Sequence, residues 1–203
     1  LEMAQVHRGL ALTRAGELPE ARVLDVELSL LPSVDAPLGR RSRRLVTLGT
    51  AQVEAVVRLL DVDALRPGET CFAQLRLAAP VAALPGQRFI VRGTRAVEGR
   101  GATVAGGRVL LVNPPRRRAG AADTVRRFAE APLDERVRLL LVEAGYAGLD
   151  EAGLFARAQA PQREVTKALE RSSAKGTAVL VDKEARRFVA GEVVAALSAR
   201  ALA

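Results

Sequence analysis

The sequence has 203 residues, of which 49% are hydrophobic and 27% charged, and a formal net charge of +8 at neutral pH. That length allows one large or two modest domains, and no apolar run reaches the roughly 18 residues of a membrane span. A single cysteine, Cys71, and a single histidine, His7, exclude an intramolecular disulfide and a four-ligand Cys/His zinc site, and they argue against Ser-His-Asp or Cys-His catalysis. We therefore expect a cytoplasmic protein that binds rather than reacts, with no metal, cofactor or membrane contact. We also expect a monomer.

Six short segments in the first part of the chain have the character of β-strands. Apolar residues dominate most of them, and Gly, Pro, Asp or Asn residues bound each one. The segments are 22–31, 45–48, 52–60, 70–77, 88–92 and 107–113. Short strands with turn signals at such spacing predict an all-β barrel or sandwich, which we place at residues 17–115.

Apolar spacing becomes helical after the sequence PPRRR at 114–118, and we interpret 116–121 as a solvated basic linker. Residues 122–203 predict a helix ending at Gly145, a helix capped by Asp150, a helix starting at Pro161, two short strands and a last helix. Helix, helix, turn, helix, hairpin, helix is the order of a winged helix-turn-helix. The expected fold is multidomain, an all-β barrel followed by an α+β winged-helix domain.

Two groups of segments in the β-region resemble known translation factors. Residues 86–92 (GQRFIVR) and 101–109 (GATVAGGRV) resemble the end of the third domain of the elongation factor Tu superfamily, where a G-x-R-F-x-x-R … T-x-G-x-G-x-V pattern recurs. Residues 37–44 (PLGRRSRR) and 48–53 (LGTAQV) resemble its selenocysteine-specific branch, where a basic stretch precedes an H-L-G-T-A-x-V strand. Thr47 stands at the position of the usual histidine. A barrel followed by a winged helix is also the domain order of that branch.

This resemblance implies the third-domain barrel and the first winged-helix module of a selenocysteine-specific elongation factor. Such a factor delivers selenocysteinyl-tRNA to the ribosome at recoded UGA codons, and later winged-helix modules would bind the mRNA hairpin. Residues 1–16 resemble the exit from the preceding β-barrel domain. The parent would bind GTP and Mg²⁺ in a domain outside this sequence, which contains no G-x-x-x-x-G-K-[ST] loop. We do not expect this piece itself to be an enzyme.

Arginines form the candidate tRNA-binding residues of the barrel. Up to Gly120 the chain has 18 basic and 11 acidic residues, and from Ala121 it has 13 and 12, so attraction to a polyanion belongs mainly to the first part. The guanidinium fork matches phosphate oxygens, although a solvated loop is the competing interpretation. The candidates are Arg40, Arg41, Arg43, Arg44, Arg92, Arg95 and Arg100.

Five basic residues of the winged-helix region are further candidates for RNA contact. They are Arg163 and Lys167 on the third helix and Lys183, Arg186 and Arg187 in the wing. Glu164 and Glu170 would repel phosphates, and the region is almost neutral. We therefore expect this module to serve mainly in spacing and packing.

Two other functions are open at this point. A DNA-binding transcriptional regulator, with the winged helix as reader and the barrel as effector domain, would need a strongly basic reading helix. A small enzyme would need a catalytic cluster, and the sequence offers neither the histidines nor the paired carboxylates to build one.

Overall fold

Antiparallel strands account for most of the first half of the chain. The computed structural model describes residues 8–12, 18, 20–97, 101–118 and 120–201. The chain divides into unit 1, Leu1–Arg126, and unit 2, Arg127–Ala203. Each unit has buried apolar residues of its own.

Six strands of unit 1 close into an antiparallel barrel in the order β1-β6-β4-β3-β7-β8. They are β1 Glu20–Leu30, β3 Arg41–Leu48, β4 Ala51–Leu59, β6 Thr70–Ala82, β7 Arg88–Val97 and β8 Gly101–Val112, and two short strands, β2 Leu38–Gly39 and β5 Ala64–Leu65, pair with each other. All six predicted strands are confirmed, and the closed barrel is the form they take. The strand β3 begins four residues earlier than predicted, so the basic stretch lies on a strand rather than in a loop.

Alternating side chains along the strands build the core of the barrel. On β4, Val53, Val57 and Leu59 are buried. Gln52 and Glu54, which alternate with this set, are exposed. Each such buried Val or Leu stabilises the fold by about 1.5–3 kcal/mol, so the pattern also fixes which face of the strand points outward.

The strands β1, β7 and β8 approach one another closely at Gly107. A Cβ atom at this position would clash with the carbonyl oxygen of Glu27 on β1 and would lie 2.8 Å from the ring of Phe89 on β7. Glycine is therefore the residue that lets β8 pair with both neighbours and close the barrel.

Helices and a small sheet follow the barrel. The elements are α1 Ala122–Glu130, α2 Leu133–Ala144, β9 Leu149–Asp150, α3 Glu151–Phe155, α4 Gln162–Ala174, β10 Ala178–Asp182, β11 Arg187–Ala190 and α5 Gly191–Ala201. The sheet has the order β10-β11-β9. The helix α1 and the strand β9 are additions to the predicted elements, and the division between the units falls within α1.

The predicted helix boundaries of unit 2 depend on caps, and two of three are confirmed. Oδ1 of Asp150 accepts a hydrogen bond from the backbone N–H of Gly153 at 2.7 Å, as expected of an N-cap. The helix α2 ends at Gly145, which has a φ of 59°. Pro161 is the N-cap of α4 rather than its first residue, because its ψ of 143° is extended while its carbonyl already accepts from the helix.

The core of unit 2 lies between α2, α4 and the sheet. Val137, Leu140, Leu141, Val165, Ala168 and Leu169 are buried there, together with Phe188 and Val189. Outside this core, Nε of Arg171 donates to Asp134 at 2.9 Å and holds the pKa of that carboxyl below its usual value. The two helices are thus joined by apolar packing inside and by an ion pair at the surface.

Candidate nucleic-acid interface

The basic stretch at 40–44 separates into three environments. Arg41 and Arg43 are exposed on the outer face of β3. Arg44 points to the other face, is half-buried and lines a groove of about 280 Å³. Arg40 forms an ion pair with Asp63 at 2.6 Å. Of the four predicted residues, the structure therefore places Arg41 and Arg43 together on one outward surface.

The remaining barrel candidates lie on or after β7. Arg92 is directly opposite Leu45 of β3, and residues that face each other across paired strands share a face of the sheet. Its side chain is therefore on the same outer face as Arg43. Arg95 also belongs to β7, and Arg100 lies outside the described residues.

Two arginines that sequence reasoning missed join Arg41 and Arg43. Arg41 lies opposite Arg58 on β4, and Arg43 lies opposite Val56. Val56 in turn lies opposite Arg76 on β6. Since paired residues share a face and adjacent strands are about 4.8 Å apart, all four guanidinium groups project from one surface. The alternation of apolar and polar side chains along β4 and β6 indicates that Arg58 and Arg76 point outward. Their position beside the arginines of β3 follows only from the strand order β6-β4-β3.

A groove crosses this outer surface. Its volume is about 350 Å³, and it is lined by Arg43, Glu54, Ala55, Val56, Arg76, Leu77 and Ala78. Guanidinium groups border it from β3 and from β6, and Glu54 is the one carboxylate of the lining. The groove is better suited to an anionic chain than to a cation.

The arginines of this surface repel one another. Burial lowers the pKa of Arg76 below its usual value, and repulsion from Arg58, Arg116 and Arg41 lowers it further. Like charges on facing strand positions oppose folding. We refer to Arg41, Arg43, Arg58, Arg76 and Arg116 as the outer basic surface.

Residues 114–118, here named the strap, are bound to the outer face of the barrel. The side chain of Gln74 donates to the carbonyl of Pro115 at 3.0 Å and accepts from the backbone N–H of Arg117 at 3.1 Å. Nη2 of Arg76 donates to the carbonyl of Arg117 at 3.5 Å. The structure thus differs from the solvated linker expected here, because polar side chains of β6 bind the backbone of this segment.

A buried ion pair anchors the strap. Nε of Arg117 donates to Oδ2 of Asp25 at 2.8 Å, and the two side chains are 9% and 0% exposed. Oδ1 of Asp25 also accepts from Nε2 of Gln74 at 2.9 Å. A charge pair so far from water tolerates little change, since loss of one partner leaves the other charge buried without compensation.

The basic candidates of unit 2 are distributed over α4 and the β10–β11 hairpin. Arg163 and Lys167 are exposed one turn apart on α4, and Lys183 is exposed in the hairpin turn. Arg186 forms an ion pair with Glu151. Arg187 donates to the carbonyl of Ala147 at 3.1 Å. The two hairpin arginines are therefore engaged within the unit.

A groove of unit 2 lies between α4 and the hairpin. It has a volume of about 350 Å³, and Glu151, Glu170, Leu169 and Phe188 are among its lining residues. Carboxylates at this position repel a phosphate backbone. Arg186 is also in the lining, so this groove is bordered by acidic as well as basic side chains.

The described part of the chain lacks two kinds of feature. No group of three or more His, Cys, Asp or Glu side chains in it could hold a metal ion. No helix among those residues is both long enough and apolar enough to cross a membrane. Burial raises the pKa of the Cys71 thiol to about 12, with Asp61 and Glu69 adding to the effect. That thiol stays protonated near neutral pH and is a core residue.

Comparison with known proteins identifies the barrel. Residues 25–116 match the family model of the selenocysteine-specific elongation factor β-barrel domain, a match that begins in β1 and ends within the strap. The chain is also similar to a curated selenocysteine-specific elongation factor from Desulfomicrobium baculatum, with 31% identity over 204 residues. That alignment covers 100% of this chain and 32% of the relative, so the chain spans about a third of the relative's length. The chain belongs to the selenocysteine-specific elongation factor family, and its closed six-stranded barrel is the β-barrel domain of that family.

Proposed function

We propose that this chain takes part in the delivery of selenocysteinyl-tRNA to the ribosome at recoded UGA codons, and that its barrel contacts the tRNA. The observation that carries the proposal is the family match over residues 25–116. The outer basic surface supports it, because the matched barrel bears several outward arginines on adjacent strands. Double-stranded RNA is bound largely through phosphate and 2′-hydroxyl contacts, for which arginine is well suited.

In this proposal, unit 2 is the first winged-helix module of the parent protein. The order α2, α3, α4, β10, β11 supports that assignment, with α4 in the place of the reading helix and the β10–β11 hairpin as the wing. Since carboxylates border the groove between α4 and the hairpin, the module serves in spacing and packing. Later modules bind the mRNA hairpin. The comparisons do not favour a DNA-binding regulator.

GTP and Mg²⁺ belong to another domain of the parent in this proposal. The sequence contains no P-loop motif, so its residues do not fit a nucleotide held in that manner. The chain contributes binding surface and no catalytic step. It works as a monomer in the cytoplasm with the tRNA and the ribosome as partners.

The double variant Arg41→Ala/Arg43→Ala tests the tRNA contact. Fluorescence anisotropy of a labelled selenocysteine tRNA, measured over a salt series, should show about a tenfold or greater loss of affinity and a salt slope lower by about 2. The matched control is Arg66→Ala/Arg88→Ala, which removes two exposed charges from the same unit and should have a small effect.

Two results would contradict the proposal. Equal affinity of the Arg41/Arg43 variant and the unmodified chain would remove the barrel surface as the tRNA contact. Tighter binding of a labelled selenocysteine-insertion mRNA hairpin than of the tRNA would instead assign the RNA site to unit 2. A duplex DNA of the same length serves as the third ligand and should bind more weakly than either RNA.

A further inference from the structure

We propose that the strap is part of the RNA-binding site, and that Arg116 forms a phosphate-binding cluster with Arg58 and Arg76. The ligand is the phosphodiester backbone of double-stranded RNA. This inference rests on the RNA contact proposed above for the barrel. It adds the strap, which follows β8, to the RNA-binding surface of the barrel. Without this role the strap would serve only to connect the barrel to the next element.

The backbone on both sides of Arg116 is fixed. One side chain, that of Gln74, binds the carbonyl of Pro115 and the N–H of Arg117. Arg117 is held in addition by its ion pair with Asp25. The Cα atom of Arg116 is therefore held in place while its side chain remains exposed. A basic residue on an ordered segment loses less conformational entropy on binding than one on a mobile linker.

The same hydrogen bonds join the strap to the arginines of β6. Arg76 donates to the carbonyl of Arg117 at 3.5 Å and to Oε1 of Gln74 at 3.3 Å. Its guanidinium group therefore lies between the strap and the sheet. Arg58 on β4 lies directly opposite Gln74 on β6, so Arg58 is in the row of the outer surface next to Arg76. The sheet and the strap thus present basic side chains from two directions.

Electrostatic repulsion within this cluster indicates an anionic partner. Arg41 and Arg58 occupy directly opposed strand positions, an arrangement that destabilises a sheet when both side chains carry the same charge. Burial lowers the pKa of Arg76, and repulsion from Arg58, Arg116 and Arg41 lowers it further. A phosphate placed among these groups removes the repulsion and gains charge-assisted hydrogen bonds.

The composition of the surface favours a duplex over a single strand. The groove beside Arg43 and Arg76 has no aromatic residue in its lining, and single-stranded nucleic acids are usually bound by stacking of bases on aromatic rings. Phe72 lies on β6, the strand of Arg76. The guanidinium group of Arg126 covers its ring, 5.6 Å from the ring centre. Phosphate contact without base stacking is typical of RNA duplex recognition.

The strap offers a matched pair of variants for the test. Arg116→Ala and Arg118→Ala each remove one exposed positive charge from the same segment, so a simple effect of net charge would be equal in both. We expect Arg116→Ala to weaken binding of a labelled 12-base-pair RNA hairpin about tenfold, and to lower the salt slope by about 1. Arg118→Ala should change the affinity less than twofold.

Chemical labelling of arginine gives an independent measurement on the chain without substitutions. Phenylglyoxal labelling followed by peptide mass spectrometry should show that the RNA hairpin protects Arg116 and leaves Arg118 reactive. Equal losses of affinity in the two variants, or equal protection of the two residues, would overturn the inference. Tighter binding of a single-stranded RNA of the same length would overturn the choice of a duplex.

Failure of this inference is distinguishable from failure of the proposed function. If Arg41→Ala/Arg43→Ala weakens tRNA binding and Arg116→Ala does not, the barrel is the RNA contact and the strap is not part of it. If neither variant weakens binding, the RNA contact of the barrel itself is wrong.

Discussion

At the scale of single residues, Arg117 holds the strap through its buried ion pair with Asp25, and its loss should destabilise the barrel. Replacement by methionine keeps an unbranched apolar side chain but leaves the carboxylate of Asp25 buried without its cation. We expect Arg117→Met to lower the free energy of unfolding by about 3–5 kcal/mol. Urea unfolding followed by circular dichroism measures the change.

A second substitution separates the ion pair from packing. Asp25→Asn/Arg117→Met removes both charges, so the double variant should be more stable than Arg117→Met alone. Arg118→Met serves as the control for loss of an exposed arginine in the strap and should change stability little. A loss of less than about 1 kcal/mol in Arg117→Met would mean that water reaches Asp25 in solution.

The sequence predicts the residue types of the interface better than their grouping. Arg41 and Arg43 could be selected because they lie in a dense basic stretch next to a motif. Arg58 and Arg76 are isolated in the sequence, and they join the same surface only through the register of β3, β4 and β6. Strand pairing between distant segments is a tertiary property, and local patterns carry no information about it.

At the scale of the elements, the turn between α2 and β9 contains two glycines with positive φ and different surroundings. Gly145 has a φ of 59° and no neighbour within 4 Å of a Cβ atom, whereas a Cβ atom at Gly148, with a φ of 60°, would clash with the carbonyl oxygen of Phe188. We expect Gly145→Ala to lower the free energy of unfolding by about 1–3 kcal/mol through backbone strain alone, because residues other than glycine rarely combine a φ of 59° with a ψ of −139°. Gly148→Ala should lower it by about 1–3 kcal/mol more, because it also forces β11 to move.

Thermal unfolding of the two alanine variants compares these effects directly. Gly145→Ala is the matched control, since it introduces the same side chain at nearly the same φ in the same turn. Equal losses of stability would show that β11 can move away from position 148 without penalty.

The elements themselves were predictable where hydrophobic alternation was strong. The strands β1, β4 and β6 bury alternate residues along much of their length, and the pattern locates each of them. The helix α1 has only nine residues, too few for a 3.6-residue period to be distinguished from a linker. The strap was predicted to be a linker because it consists of two prolines and three arginines. Asp25 and Gln74, which bind it, are far away in the sequence, so no local pattern reveals these contacts.

At the scale of the whole molecule, basic charge is concentrated in the first part of the chain. Residues up to Gly120 account for +7 of the formal net charge of +8. Attraction to RNA therefore acts mainly on unit 1. Hydrogen–deuterium exchange of the full chain, with and without the selenocysteine tRNA, should show slower exchange in β3, β4, β6 and the strap, and unchanged exchange in α4 and the β10–β11 hairpin.

The same measurement contains its own control. The helix α5 and the short edge strand β9 carry none of the proposed RNA contacts, so their exchange should be equal in both samples. Slower exchange in α4 on addition of the tRNA would contradict the assignment of spacing and packing to unit 2.

The circular strand order has a consequence for how the protein is made. The last strand, β8, bonds to β7 and to the first strand, β1, so the barrel has two open edges, β1 and β7, until β8 is added. Open edges pair readily with other chains and promote aggregation, and pairing of strands so distant in sequence forms slowly. On the ribosome, a nascent chain stalled before β8 would therefore be a substrate for chaperones, and release of β8 and the strap from the exit tunnel is the event that ends this exposure.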